Sequence, residues 1–300
     1  NQQGLLSGWQ GLTLYGGSLD NRNLGTLSSR NGALDVQLSG ALLNSGDGAL
    51  VSQGRMDIGA ASFDNAGGVL SSGAALQLVV ASLDNRSGSI DAQQLLTVNG
   101  TDLDNSNGRI AGNGSLVLDL RGTLNNDAGT LTSAGSLLLT QALQVLNRGG
   151  KIVSRAGLEL NAGTLDNRQL GTVAARDQVK LIASSLLHND AGGLIYSQSA
   201  DVRVQAAGLS NQQGQVQGQS GLVLDVLGAL DNRNGTLLTQ DGNLVVQRAA
   251  SLGNQGGTVA SLAGLLDLKI GGLLDNGRDL AGKGGVVPVS YTHLTLPTKR

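Results

Sequence analysis

The chain has 300 residues, a formal net charge of −2, 47 glycines, two prolines, no cysteine, 2% aromatic and 14% charged residues. So weak a charge excludes an electrostatically driven nucleic-acid binder. The missing thiols exclude disulfides and thiolate metal sites, and the longest apolar runs, such as LQLVV at Leu76–Val80, fall short of the roughly 20 residues of a membrane helix. Apolar residues at 40% are too many for a disordered chain and the glycines follow no triplet, so Leu, Val, Ile and Ala must fill a narrow, uniform core.

From its first residue the chain repeats one phrase. LDNRSGSI at Leu83–Ile90 returns as LDNSNGRI at Leu103–Ile110, LNNDAGTL at Leu124–Leu131, LDNRQLGTV at Leu165–Val173 and LDNRNGTL at Leu230–Leu237. Its anchors are Asn1, Asn21, Asn44, Asn65, Asn85, Asn105, Asn126, Asn147, Asn167, Asn189, Asn211, Asn232, Asn254 and Asn276, at intervals of 20 to 23 residues. A period near 21 lies within the window of solenoids. A glycine follows most anchors by three residues and follows Asn21, Asn44 and Asn167 by four, while Asn276 breaks the rule.

Between anchors the pattern alternates. Leu116, Leu118 and Leu120 share one face of SLVLDL and Asp119 points away; Leu222, Leu224 and Val226 oppose Asp225, and Val202, Val204 and Ala206 oppose Arg203. Period two over about six residues reads as a half-buried strand. Further apolar positions stand two before the Asn (Leu19, Leu83, Leu103, Leu230) and just past the Gly (Leu27, Ile90, Ile110, Leu131, Leu237). No segment carries a helical period long enough for a βα unit. The expectation is an all-β, parallel β-helix of about 21 residues and three short strands per coil, covering 1–287, with coils about 4.8 Å apart and roughly 62 Å of rise in all. A leucine-rich repeat, the architectural rival, places Leu two after its Asn; here the Leu is two before.

Stacked at strand spacing, identical asparagines can hydrogen-bond from coil to coil, as amide ladders do. Asn21, Asn44, Asn65, Asn85, Asn105, Asn126, Asn147, Asn167, Asn189, Asn211, Asn232 and Asn254 are therefore expected to form a structural corner ladder. The glycine after each anchor is expected to supply a positive φ.

Chemistry-bearing residues are few. Asp64, Asp84 and Asp104 precede three consecutive anchors and would lie about 5 Å apart, as in a carboxylate cluster. Their recurrence points to turn-capping aspartates, partly neutralised in Asp20–Arg22, Asp84–Arg86, Asp166–Arg168 and Asp231–Arg233. His188 stands alone on a corner, Phe63 fills a corner Leu position, and Trp9, Tyr15 and Tyr196 are too scattered for a sugar-stacking surface. Gly149–Gly150 belongs to a corner, and no nucleotide, hydrolase or zinc motif occurs. No catalytic residue, cofactor site or metal site is assigned.

The tail differs. Val289–Thr298 reads as VSYTHLTLPT, which resembles a translated transposase-type sequencing adapter, so 288–300, including His293, is set aside as non-native. NQQG at Asn1–Gly4 recurs at Asn211–Gly214, so the chain opens mid-phrase and is expected to be a fragment, incomplete at both ends, whose open coil edges fray or self-associate.

The LDNxxGxΦ corner at this spacing, with GxLxL strands between, resembles the haemagglutinin repeats of filamentous-haemagglutinin-type exoproteins over roughly Asn1–Asn276. The resemblance implies a right-handed parallel β-helix serving as the shaft of a large adhesin or contact-dependent inhibition effector. It implies secretion to the surface of a Gram-negative bacterium through an outer-membrane partner, which acts on parts outside this chain. It also implies a host or neighbouring-cell receptor as the target. A lateral glycan- or protein-binding module is the second reading and needs a coil-specific patch, which the repeat does not reveal. A β-helical polysaccharide-degrading enzyme is the third, and needs long inserted loops.

Overall fold

The computed structural model of the chain describes residues 1–288 and the backbone of 292–295. Every element in it is a β-strand. Two compact units are present, residues 1–146 with Gly150–Ser154, and 155–300 with Asn147–Gly149. Each is a parallel β-solenoid.

In the first unit one wall is a sheet of four-residue strands, from Leu5–Gly8 through Thr26–Ser29 and Ala49–Ser52 to Lys151–Ser154. The residue past each corner stacks on its equivalent without slippage: Leu27, Leu50, Leu70, Ile90, Ile110, Leu131 and Ile152 are register partners in turn. On the second wall Val36, Ile58, Leu78, Val98, Leu118 and Leu139 form one column. Leu42, Phe63, Leu83, Leu103, Leu124 and Val145 form another. All of these are buried, and Phe63 fills a leucine site. The second unit repeats the plan, with Val173, Ile195, Val216, Leu237 and Val259 on the first wall. Leu160, Leu181, Val204, Leu224, Val246 and Leu268 stack on its second.

Alternation explains this directly. A strand whose odd residues are apolar buries one face only, and stacked coils give that face a partner at every level. SLVLDL and GLVLDV behave so, with Leu118 and Leu224 fully buried and Asp119 and Asp225 half-exposed. In Met56–Asp64, Leu76–Asp84, Leu137–Leu146, Leu158–Asp166, Val179–His188 and Asp201–Ser210 the second and third strands run on as one. Of the tail set aside above, Pro288 and the backbone of Thr292–Thr295 are described, the latter pairing parallel with Leu266–Lys269. The rest of 288–300 lies outside the described residues.

The corner corrects one expectation. Except at Asn189, where it is Gly192, the glycine three after an anchor is not at positive φ. The left-handed residue is the one before it: Ser87, Asn107, Ala128, Gln213 and Asn234, at φ between 53° and 58°, or a glycine such as Gly67. Corners of the longer kind hold two such residues, Asn23 with Leu24, Gly46 with Asp47, Gln169 with Leu170, and Ala191 with Gly192, which moves Asn189 into this class. The following glycine answers to space instead. A Cβ on Gly108 would sit 2.7 Å from Asn105 Oδ1 and closer still to the Asn85 carbonyl of the preceding coil, and Gly129 meets Asn126 and Asn105 in the same way. No side chain fits where one coil's corner presses on the next.

Two substitutions separate these roles. Gly108→Ala should destabilise by at least about 1–3 kcal/mol, since neither clashing group can retreat without breaking the corner. Ala128→Gly, at φ 53°, should stabilise by about 0.5–1 kcal/mol, because the left-handed strain of a Cβ exceeds the entropy glycine loses. Thermal denaturation of both variants checks the opposite signs.

The asparagine corner as candidate functional site

Each anchor asparagine sits inside its corner with no solvent exposure, from Asn21 to Asn254. In the first unit the Nδ2 of Asn1, Asn21, Asn44, Asn65, Asn85 and Asn105 donates to the Oδ1 of the next anchor at 2.7–2.8 Å. In the second unit Asn147, Asn167, Asn189, Asn211, Asn232 and Asn254 do the same over the same range. The direction is the same throughout. The Nδ2 groups also reach the carbonyls of their own corner glycines, as Asn105 reaches Gly108 at 3.3 Å and Asn167 reaches Gly171 at 3.0 Å. The backbone N–H of Asn105 donates to the Asn125 carbonyl at 2.7 Å. The side chain thus supplies what the turning backbone lacks, a donor and an acceptor at every level where strand pairing stops.

A second polar column escaped the sequence reading. At the end of the first-wall strand, seven or eight residues after each anchor, Ser29, Ser52, Ser72, Ser133, Ser154, Ser197 and Ser261 are buried. Their hydroxyls donate to carbonyls at the next bend: Ser52 to Gly32 and Gly54, Ser133 to Gly114 and Ser136, Ser261 to Gly242. Its signal is a small residue at every such position, with Gly8, Ala92, Gly112, Ala175 and Gly218 at the other levels. Thr239 continues the column with a buried hydroxyl that has no hydrogen-bond partner among the described residues.

Asp64, Asp84 and Asp104 are register neighbours, so the structure does bring the three carboxylates together. Each is engaged in its own turn, accepting from the backbone N–H two residues on at 2.9–3.0 Å. Ser45 Oγ further donates to Asp64, Ser106 Oγ to Asp104, and Arg86 forks onto Asp84. The pairs Asp20–Arg22, Asp166–Arg168 and Asp231–Arg233 are formed in the same geometry. Burial pushes the Asp84 carboxyl up, and the Arg86 guanidinium and N–H more than offset it, leaving Asp84 below the ordinary carboxylate range; Asp166 with Arg168 follows suit. Among the described residues no group of three or more His, Asp or Glu is placed to hold a metal ion. His188 faces Asp190 at 3.4 Å on a half-exposed corner. Trp9 and Tyr15 are exposed in the first unit, and Tyr196 is half-buried in the second.

Residue-on-residue stacking of 20–23-residue coils with an amide at each corner defines a parallel β-solenoid repeat protein. The family model described as "Haemagglutinin repeat" matches residues 1–46, 30–100, 76–145 and 128–196. The chain belongs to the haemagglutinin-repeat family. That family and this fold fit an adhesin-type shaft, and they imply a secreted or cell-surface bacterial protein. No curated protein and no solved structure matches the chain.

The corner yields two further predictions. Asn105→Leu should destabilise by several kcal/mol more than Ser106→Ala, because it strands the Asn85 amide and the Asn126 carbonyl oxygen in a buried place; equal melting temperatures would contradict this. Acid should weaken the aspartate turns. With a native pKa lowered below 3.8, Asp84 contributes stability that is complete above that pH and is lost as the pH falls through the native value. Melting temperatures taken from pH 7 to pH 2 should therefore fall below about pH 4, and Arg86→Ala should shrink that acid-side loss.

Proposed function

We propose that this chain is part of the structural shaft of a large exoprotein displayed on a Gram-negative cell, an adhesin or contact-dependent inhibition effector that presents a distal binding or toxin module. Residues 1–287 are the shaft in this reading, and 288–300 are not native. Export runs through an outer-membrane secretion partner acting on other parts of the protein, and the target is a receptor on a host or neighbouring cell. The reading assigns no catalysis to these coils.

The observation that carries the reading is the constancy of the coil. Every interval between anchors is 20–23 residues, and the same side-chain type recurs at each level, in the corner and in the core. A recognition or catalytic surface needs its special residues in one place, whereas a spacer needs each level to be interchangeable with the next. Turn aspartates occupied by their own backbone and arginine neighbours serve the wall and leave little for chemistry.

Interchangeability is testable. Deleting residues 22–105 removes four coils and rejoins Asn21 to Ser106–Asn107–Gly108, restoring an N-x-x-G corner. In the protein as displayed on its cell, export and target binding should survive while the reach shortens by about 19 Å, read by electron tomography of the cell surface. Loss of target binding in an exported, folded deletion variant would place recognition in the coils and overturn the reading.

A further inference from the structure

Six asparagines of the chain are followed directly by glycine: Asn31, Asn99, Asn107, Asn113, Asn234 and Asn276. In such a pair the glycine nitrogen can attack the asparagine side-chain carbonyl carbon, since glycine has no Cβ to crowd the ring that forms. The fold treats the six pairs differently. Asn107 and Asn234 are the left-handed residues of their corners, and the N–H groups of Gly108 and Gly235 donate to the Asn105 and Asn232 carbonyls at 2.9 and 3.0 Å. Gly114 N–H donates to the Gln94 carbonyl of the preceding coil at 3.0 Å, and Gly277 N–H to Asp275 Oδ1 at 3.0 Å. Asn99–Gly100 ends a strand paired in register with Leu116–Leu120.

Asn31–Gly32 stands apart, and the length of its bend explains why. Most bends that follow the first-wall strand have three residues, such as 93–95 and 113–115, and their middle N–H reaches back one coil, Gln94 to Ala74 and Gly114 to Gln94. The bend at 30–33 has four. Arg30 and Asn31 donate to the Gly8 and Trp9 carbonyls at 3.0 Å, and the surplus N–H falls on Gly32. In the equally long bends at 198–201 and 262–265 the surplus N–H, of Ala200 and Gly264, is taken by Ser197 and Ser261 Oγ at 3.1 and 3.0 Å. Ser29 Oγ instead donates to the Gly32 carbonyl, which also accepts from Ser52 Oγ and Gly54 N–H. Gly32 N–H therefore has no hydrogen-bond partner among the described residues. Asn31 is exposed, and its side-chain amide makes no hydrogen bond among them either. Nucleophile and electrophile are both unengaged here alone among the six pairs.

We propose that Asn31 is a site of spontaneous covalent modification, closing on the Gly32 backbone nitrogen to a succinimide that water opens to aspartate and isoaspartate. The Gly32 nitrogen gives up its proton and bonds to Asn31 Cγ, the Cγ–Nδ2 bond breaks, and ammonia leaves. Water then adds to either ring carbonyl carbon. Cleavage of the Cγ–N bond yields aspartate, and cleavage between the Asn31 backbone carbonyl carbon and that nitrogen yields isoaspartate, with no oxidation or reduction. Either product adds a negative charge. Isoaspartate also lengthens the main chain by a carbon atom beside the Gly32 carbonyl, which ties this coil to the next through Ser52 and Gly54. The site is independent of the shaft reading, since it rests on one bend.

The test is incubation of the full chain at mildly alkaline pH in water enriched in heavy oxygen, with conversion at each pair read by peptide-mapping mass spectrometry. In the folded chain Asn31 should convert at least about tenfold faster than Asn107, Asn113 or Asn234, where a hydrogen bond must first open. In urea the rates should converge, because every pair has the same glycine. Deleting Arg30 leaves residues 31–33 as a three-residue bend of the 113–115 kind, in which Gly32 N–H can take the Gln10 carbonyl, so Asn31 should convert as slowly as Asn113. Should that variant misfold, the comparison of folded chain with urea decides. Equal rates at Asn31 and Asn113 in the folded chain, a preference for Asn31 that persists in urea, or undiminished conversion in a folded Arg30 deletion would each overturn the proposal.

Discussion

A primary amide can hydrogen-bond to a copy of itself only along one direction and at one spacing, and that requirement organises each unit. The donor of one anchor meets the acceptor of the next when consecutive corners lie a strand spacing apart, in register. Once that holds, the first residue past the corner must stack on its equivalents, and so must each inward residue along the two walls. The columns through Leu118 and Leu237 are the consequence. A slip by one residue would turn every inward side chain outward, so corner and core enforce the same register.

The same pressure accounts for the composition. Corners packed amide on amide leave no room for a Cβ three or four residues on, so glycine is required there for space, and strain is shifted to the residue before it. That residue is often Asn or Gly, which tolerate the left-handed region, and at Ala128 or Leu170 it is not. The core is one side chain deep from each wall, which suits leucine and valine, and among the described residues Phe63 is its one fully buried aromatic ring. Charged residues remain on the outer rows, where aspartate and arginine two apart close onto each other, at exposures where such pairs contribute little individually.

Period, strand alternation and the parallel all-β architecture were legible in the sequence because each is a local pattern repeated many times. The four arginine-backed turns at Asp20, Asp84, Asp166 and Asp231 were legible for the same reason. The glycine was assigned to the wrong cause: its restriction comes from the preceding coil, about twenty residues away, which no local rule contains. The serine column was overlooked because Ala and Gly share its positions, so it reads as a small-residue preference until the carbonyls around it are seen. At Asn276 the sequence shows only a break in the glycine rule, since the glycine that completes this corner is displaced by six residues and its role is recognisable only in three dimensions.

The fit to an adhesin-type shaft rests on coils that are alike at every level, and that likeness rests on the amide column. Side-chain hydrogen exchange in an asparagine-labelled sample probes that column most directly. The Nδ2 protons of Asn44, Asn85, Asn105, Asn189 and Asn232 should exchange only as the coils open, far more slowly than those of exposed Asn31 and Asn107. Anchor amides exchanging as fast as the exposed ones would show that the coils are not held together at their corners.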